Sequence, residues 1–351
     1  MVKVWPAGSA VAQEVGLHSC PPLKLILICN LQILSRFLKT KARTSQLGTT
    51  DPLADGAEIS NKKSRILMYA EKRDSGDQDT TSRLSPYLAG WRHITTGMYP
   101  CDDESSWTEE SRCWADNRNR SLGAGAWCVR FLNIEKFTIY DSAWRDFYTN
   151  VLANFPRVSM GRPYQEKLAN VRWEVNEEHL AAWKQGKTGV PIVDAAMRQL
   201  ITMGWMHNRM RMIVAMFLTK DLLLDWHLGE QYFMEQLIDG DLASNNGGWQ
   251  WSASTGVDPA PYFRIFNPYT QSAKADPTGD YIRTYVPELK NLRGPGTHSS
   301  YLGKDAGSSN KTELHNPPVK VADKLRYPRP IVVHAEVRER AIRRYQNPGQ
   351  E

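Results

Sequence analysis

Apolar residues recur at helical spacing through most of the second half of the chain. In TGVPIVDAAMRQLITMG, Ile192, Ala195, Ala196 and Leu200 form one stripe, with Pro191 where a first-turn proline belongs and Gly204 where a helix stops. MHNRMRMIVAMFLTKDLLLDW puts Met210, Ile213, Val214 and Phe217 on one side of the next helix, and Glu230 to Ile238 reads as another. WRDFYTNVLANF, from Trp144, is amphipathic. Strand-like runs are scarce, so the region is expected to be mainly α.

Between these stripes the pattern fails in two places. Residues 40–64, rich in Thr, Ser, Gly, Asp and Lys, read as a linker, and residues 89–140 are turn-rich and polar with no stripe, so an irregular insertion is expected there. Leu23 to Leu38 is apolar but broken by Asn30, Gln32, Ser35 and Arg36, and it is too short to cross a bilayer comfortably.

The run DGDLASNNGGWQW, Asp239 to Trp251, departs from the greasy pattern around it. As a helix opening after Asp239-Gly240, it sets Asp241, Asn245 and Trp249 on one face at i,i+4 steps, while Trp251 points elsewhere. Gly247 and Gly248 each weaken such a helix by roughly 0.5–1 kcal/mol relative to Ala, which makes sense if a large flat group approaches the backbone there. On residues alone the segment is equally a ligand wall or a buried Trp helix with polar caps.

Charge changes the picture modestly. A formal charge of +6 over 351 residues favours an anionic partner. The five cysteines, Cys20, Cys29, Cys101, Cys113 and Cys128, show no CxxC spacing, so neither a zinc site nor a disulfide framework is expected, and a reducing compartment is. Residues 1–50 hold six Lys/Arg against the single acid Glu14, a bias found in mitochondrial presequences, and Lys62-Lys63-Ser64-Arg65 has the character of a short nuclear address. TTSRLSPYL, Thr80 to Leu88, supplies hydroxyls, an Arg and backbone N–H groups, the chemistry that holds a pyrophosphate, and it is also an ordinary helix-capping sequence.

The run from Asp239 continues as STGVDPAPYFRIFNPYTQSAKADPTGDYIRTYVPEL and follows TGVPIVDAAMRQLITMGWMHNRMRMIVAMFLTKDLLLDW. Together these resemble the FAD-binding domain of class I cyclobutane pyrimidine dimer DNA photolyases, fungal ones especially. The resemblance covers about Arg65 to Tyr87 and Trp144 to Arg293, with a weaker echo at YPRPIVVHAEVRERA. It implies an all-helical FAD-binding domain over 65–335 behind a leader and linker at 1–64, with a C-terminal helix and tail at 336–351. Such proteins place an α/β antenna domain first. Nothing in residues 1–64 resembles one, so a folate or deazaflavin antenna is not expected.

The resemblance also implies roles. Thr81, Ser82, Arg83, Leu84 and Ser85 match the FAD phosphate cradle and Tyr69 a further wall of it; Asp239 and Asp241 match acids at the flavin edge, Arg211 the cation pairing with one of them, and Asn208 a polar neighbour. Asn245 falls beside the flavin N5, where a neutral amide supports the reduced ring, whereas plant cryptochromes carry Asp and animal ones Cys. Trp144 and Trp251 match the aromatics around a flipped dinucleotide, and Met212 an apolar contact to it. Trp249, Trp226 and Trp173 match a photoreduction chain from flavin to surface, and Arg73, Arg209, Arg264 and Lys274 match contacts to DNA phosphates.

One departure bears on activity. The family sets a Glu three residues before the Trp-Arg pair, and here Asp141, one methylene shorter, takes that place before Trp144-Arg145, while counting forward from Trp127 gives Arg130. The expected function is light-driven repair of cyclobutane pyrimidine dimers by electron transfer from reduced FAD, a carbon–carbon lyase activity needing no metal. Its expected partner is UV-damaged DNA and no membrane, acting as a monomer in the nucleus and also the mitochondrion. The alternatives are a cryptochrome-like blue-light photoreceptor and a truncated, inactive product.

Overall fold

The computed structural model describes residues 143–292 and 313–349, residues 64–78 and 80–83, and residues 37, 85, 86 and 89. Among them there is no strand, and an isolated bridge joins Glu174 to Leu224. The main helices are α1 (Arg65–Lys72), α2 (residues 143–154), α3 (Glu177–Gln185), α4 (Pro191–Met203), α5 (Asn208–Met216), α6 (Trp226–Gln236), α7 (Leu242–Ser252), α8 (Pro268–Ala275), α9 (Asp280–Tyr285), α10 (Val319–Lys324) and α11 (His334–Gln346). No helix among the described residues is long and apolar enough to cross a membrane.

Helix α4 is the hub, packed on by α3, α5, α8 and α9. It starts on Pro191 and stops at Gly204, whose φ of 63° lets the cap N–H reach the Leu200 carbonyl. Its stripe Ile192, Ala195, Ala196 and Leu200 is fully buried. Asp194, buried in its first turn, accepts from the Thr188 N–H and hydroxyl, the Gly189 N–H and the Tyr327 hydroxyl, which fastens the loop and the C-terminal segment to the hub. Gly189 sits at φ 77°, and a Cβ there would lie 2.3 Å from the Arg329 backbone, so the close crossing requires glycine.

The stripe from Met210 to Phe217 reads as one helix, but α5 ends at Met216 and a π-helical turn, Phe217–Asp221, follows, closed by the Leu222 N–H on the Phe217 carbonyl. The turn carries two buried polar side chains to α11. Lys220 donates to Ser254 Oγ at 2.8 Å and lies 3.3 Å from the Tyr345 ring centre, while Asp221 pairs with His334 and its carbonyl accepts from Arg340. With no carboxylate beside it, the Lys220 amine is driven far below its ordinary pKa by burial. Val337, Ala341 and Tyr345 of α11 are buried.

Helix α6 begins at Trp226, earlier than the stripe at Glu230 to Ile238 suggests, because Asp225 caps it by accepting from the His227 N–H. Of the apolar run Leu23 to Leu38, only Phe37 is among the described residues. It is buried with its ring edge-on to Tyr69, centroids 5.8 Å apart. The irregular stretch 89–140, apart from Ala89, lies outside the described residues.

Candidate functional site

Helix α7 organises the site. Asp241 is its N-cap, accepting from the Ser244 N–H at 3.0 Å and hydroxyl at 2.6 Å. The face carrying Asn245 and Trp249 lies on α6: Asn245 Nδ2 donates to the Glu230 carbonyl at 2.9 Å, and Asn246 Nδ2 to the Glu230 carboxylate at 2.8 Å. Trp249 is wedged edge-on between Phe233 at 5.0 Å and Trp183 at 6.1 Å. Gly229 of α6 makes this possible, since a Cβ there would sit 2.1 Å from the Trp249 ring.

The two glycines of α7 divide the expectation of a flat group at the backbone. At Gly247 the flat group is the chain's own Tyr148 ring, 2.2 Å from where a Cβ would be. At Gly248, one turn beyond Asn245, nothing lies within 4 Å.

Arg211 and Asp239 meet beside this helix. The guanidinium spans both Asp239 oxygens at 3.0 and 2.8 Å and also donates to the Met206 carbonyl, so the nearly buried carboxylate has a fixed counter-charge. Asn208 starts α5 and is exposed. His207 before it caps the helix, Nδ1 accepting from the Arg209 N–H, and its buried Nε2 has no hydrogen-bond partner among the described residues. Burial, aided by the charges of Arg209, Arg83 and Arg211 and opposed by Asp74, pushes the imidazole down to about 4, so it is neutral.

The cradle residues meet the segment before α5 at Trp205. Thr80 is anchored by its hydroxyl to the Lys72 carbonyl at 2.8 Å. Thr81 Oγ1 is buried with no hydrogen-bond partner among the described residues. Arg83, at φ 54°, lies 5.2 Å from the centre of the Trp205 ring, and the Trp205 indole N–H donates to Ser85 Oγ at 3.3 Å. Leu84 and Asp141 lie outside the described residues.

The opposite face of α7 opens into a cavity of about 460 Å³. Met212 and Trp251 form its apolar wall with Phe266, and Arg209, Arg264 and Lys274 bring positive charge to it. Asp74 offsets one of these charges through an ion pair with Arg209 at 2.6 Å. Trp144 is not in this lining. Its ring folds back on its own helix, 5.5 Å from Phe147 and 5.8 Å from Tyr148, the i+3 and i+4 neighbours, and it is exposed. Arg73 stands at the exposed end of α1, also outside the lining.

Of the three tryptophans expected to conduct, two are equally buried and one reaches the surface. Trp249 and Trp226 are buried, and Trp173 is half-buried, edge-on to Tyr345 at 6.1 Å. Sequence reasoning missed Trp205, His207, Asp74 and Trp183. The first two sit one to three residues before Asn208 and were findable as neighbours of that motif. Asp74 and Trp183 act through partners far along the chain and leave no local signal.

Residues 138–347 match the family described as the FAD binding domain of DNA photolyase. The deoxyribodipyrimidine photo-lyase of Neurospora crassa is 44% identical over 288 residues, covering 80% of this chain and 42% of that protein. Its Escherichia coli counterpart is 45% identical over 278 residues, covering 79% and 52%. The chain thus spans about half the length of the curated relatives it matches. Among solved structures, a class III photolyase from Agrobacterium tumefaciens superposes with a TM-score of 0.64 at 30% identity over 98% of this chain and 62% of that one. A Synechocystis cryptochrome does so at 0.58 and 30% identity, over 80% and 52%.

The residues present fit the dinucleotide such a domain binds. The buried Thr81 hydroxyl and His207 Nε2, both without partners among the described residues, and the open space at Gly248 are what a bound group would satisfy and fill. Arg83 and Ser85 supply anion and hydrogen-bonding chemistry beside them.

Proposed function

The chain belongs to the DNA photolyase family through its FAD-binding domain, and on that premise we propose that it splits cyclobutane pyrimidine dimers in UV-damaged DNA under light. The observation that carries the reading is the cavity in which Met212 and Trp251 stand among Arg209, Arg264 and Lys274. A pyrimidine dimer flipped from a duplex needs an apolar, aromatic slot with cations at its rim for the flanking phosphates.

Reduced FAD, when bound, supplies the light-driven electron that opens the cyclobutane ring and takes it back afterwards. The protein does the rest by positioning. Trp251 offers a π-face to a base and Met212 a soft apolar contact. Lys274 and Arg264 meet phosphates, and Arg209 exchanges Asp74 for one, giving affinity without sequence preference. Arg211 and Asp239 would hold the flavin edge, and Asn245 would stand by its ring as a neutral neighbour that adds no charge. Asp141 is assigned the hydrogen bond to the dimer that a Glu makes elsewhere in the family. The unit that acts is a monomer.

The test is an oligonucleotide bearing one thymine dimer, mixed with FAD-loaded protein, reduced chemically and illuminated. The reading expects intact thymines in the light and none in the dark. A flavin that photoreduces while the dimer survives illumination would instead favour a photoreceptor, the reading that the cryptochrome likeness supports.

A further inference from the structure

Trp226, the middle member of the tryptophan series, does not face apolar neighbours alone. The His227 ring is stacked on it, centroids 3.8 Å apart and planes 27° from parallel. Both nitrogens of that imidazole are engaged: Nδ1 lies 2.7 Å from the Asp225 carboxylate and Nε2 lies 2.6 Å from the Gly161 carbonyl. Each partner is an acceptor with no hydrogen to give. A neutral imidazole has a single N–H and satisfies one of them, so the arrangement is complete only when the ring carries both protons.

We propose that His227 is a positioning residue that sets how readily Trp226 gives up an electron, by resting on its indole face as an imidazolium. A cation over a neutral indole is attracted to the ring. Once the indole has lost an electron the same contact becomes a repulsion, so the charged form holds the hole off Trp226. The inference rests on reading Trp249, Trp226 and Trp173 as an electron path. In it Trp249 gives one electron to the flavin, Trp226 refills Trp249, Trp173 refills Trp226, and an external thiol refills Trp173.

The groups around His227 agree with its charge. Burial opposes protonation, but the hydrogen bonds to Asp225 and Gly161 and the negative charges of Asp225 and Glu230 together raise the imidazole above its ordinary value. From the neighbouring elements, the loop at Gly161 gives its carbonyl to Nε2, and Asn246 of α7 is hydrogen-bonded to Glu230. Lys220 and Asp221 of the π-helical turn are engaged with Ser254 and His334.

Two measurements test this. Imidazole 15N shifts of the protein, assigned by loss of the His227 signal in His227→Gln, should show both ring nitrogens protonated near pH 6; a neutral ring there overturns the proposal. Photoreduction of oxidised FAD by a thiol is then followed between about pH 6 and 9. The rate in the unaltered protein should rise about two- to fivefold, the scale of a partly exposed cation–π contact. His227→Gln should run at the faster level and His227→Arg at the slower, each flat relative to the unaltered protein. A His227→Gln variant that keeps the original pH profile overturns the role of His227 even if its FAD content is normal. Trp226→Phe separates the two readings: photoreduction that survives it removes the electron path itself, whereas its loss with an unchanged His227→Gln profile removes only the present inference.

Discussion

Trp249 and Trp251 are two residues apart on α7 and live in opposite surroundings. Trp249 is sealed against α6, with Phe233 and Trp183 at its edges and a glycine beneath it that leaves no room for a methyl group. Trp251 is half-buried at the wall of a roomy cavity with three cations around it. A helix turns about 100° per residue, so a two-residue step carries a side chain to the other side. One helix thereby separates a dry side, suited to moving charge between fixed rings, from a wet side, suited to receiving a base.

The largest effect is expected at the ion pair beside α7. Asp239→Ala leaves the Arg211 guanidinium without its counter-ion, and such losses cost about 3–5 kcal/mol, here at the lower end because Arg211 is partly exposed. Chemical denaturation and retained flavin absorbance should both register it. His207 yields a pH test of similar size. Its folded value of about 4 lies below the ordinary 6.5, so the unfolded chain binds the extra proton first; the stability contributed is full above pH 6.5 and is lost as pH falls toward 4, on the order of 3 kcal/mol. Comparing His207→Asn with the parent over that window should show a shallower fall in the variant. A parallel fall would mean that the imidazole is not the group responsible.

Smaller effects sharpen the comparison. Gly229→Ala forces Trp249 off its seat and should lower stability by about 1–3 kcal/mol by overpacking, with photoreduction impaired as well. Trp251→Ala should leave the melting temperature nearly unchanged while weakening binding to dimer-containing DNA by about 1–3 kcal/mol, the worth of one base stack. Equal losses of stability in both variants would erase the distinction between the sides. Lys274→Ala is expected to do least: the slope of log affinity against log salt should shrink by about 0.9, alike for damaged and undamaged duplexes.

Much of the helical frame was legible because it rests on local rules. Pro191, the Ile192-to-Leu200 stripe and Gly204 mark α4 without knowledge of its partners, and its bounds follow from them. The features that escaped depend on what comes from far away. Gly247 reads as room for a ligand, yet the ring filling that room is Tyr148, about a hundred residues earlier. Trp144 and Trp251 look like a pair by motif, but Trp144 rests on Phe147 and Tyr148 of its own helix. Asp74 neutralises Arg209 across the cavity mouth, and no periodicity announces an ion pair of that span.

The π-helical turn at Phe217–Asp221 sets the phase between the helix before it and everything after it. The one residue it adds over a regular turn advances everything downstream by about 100° and 1.5 Å, like a tooth inserted in a gear train. That phase is what turns Lys220 and Asp221 onto α11 and brings α6 to α7 with Gly229 under Trp249. Deletion of any one residue there would restore a regular helix and put both meshings out of step at once.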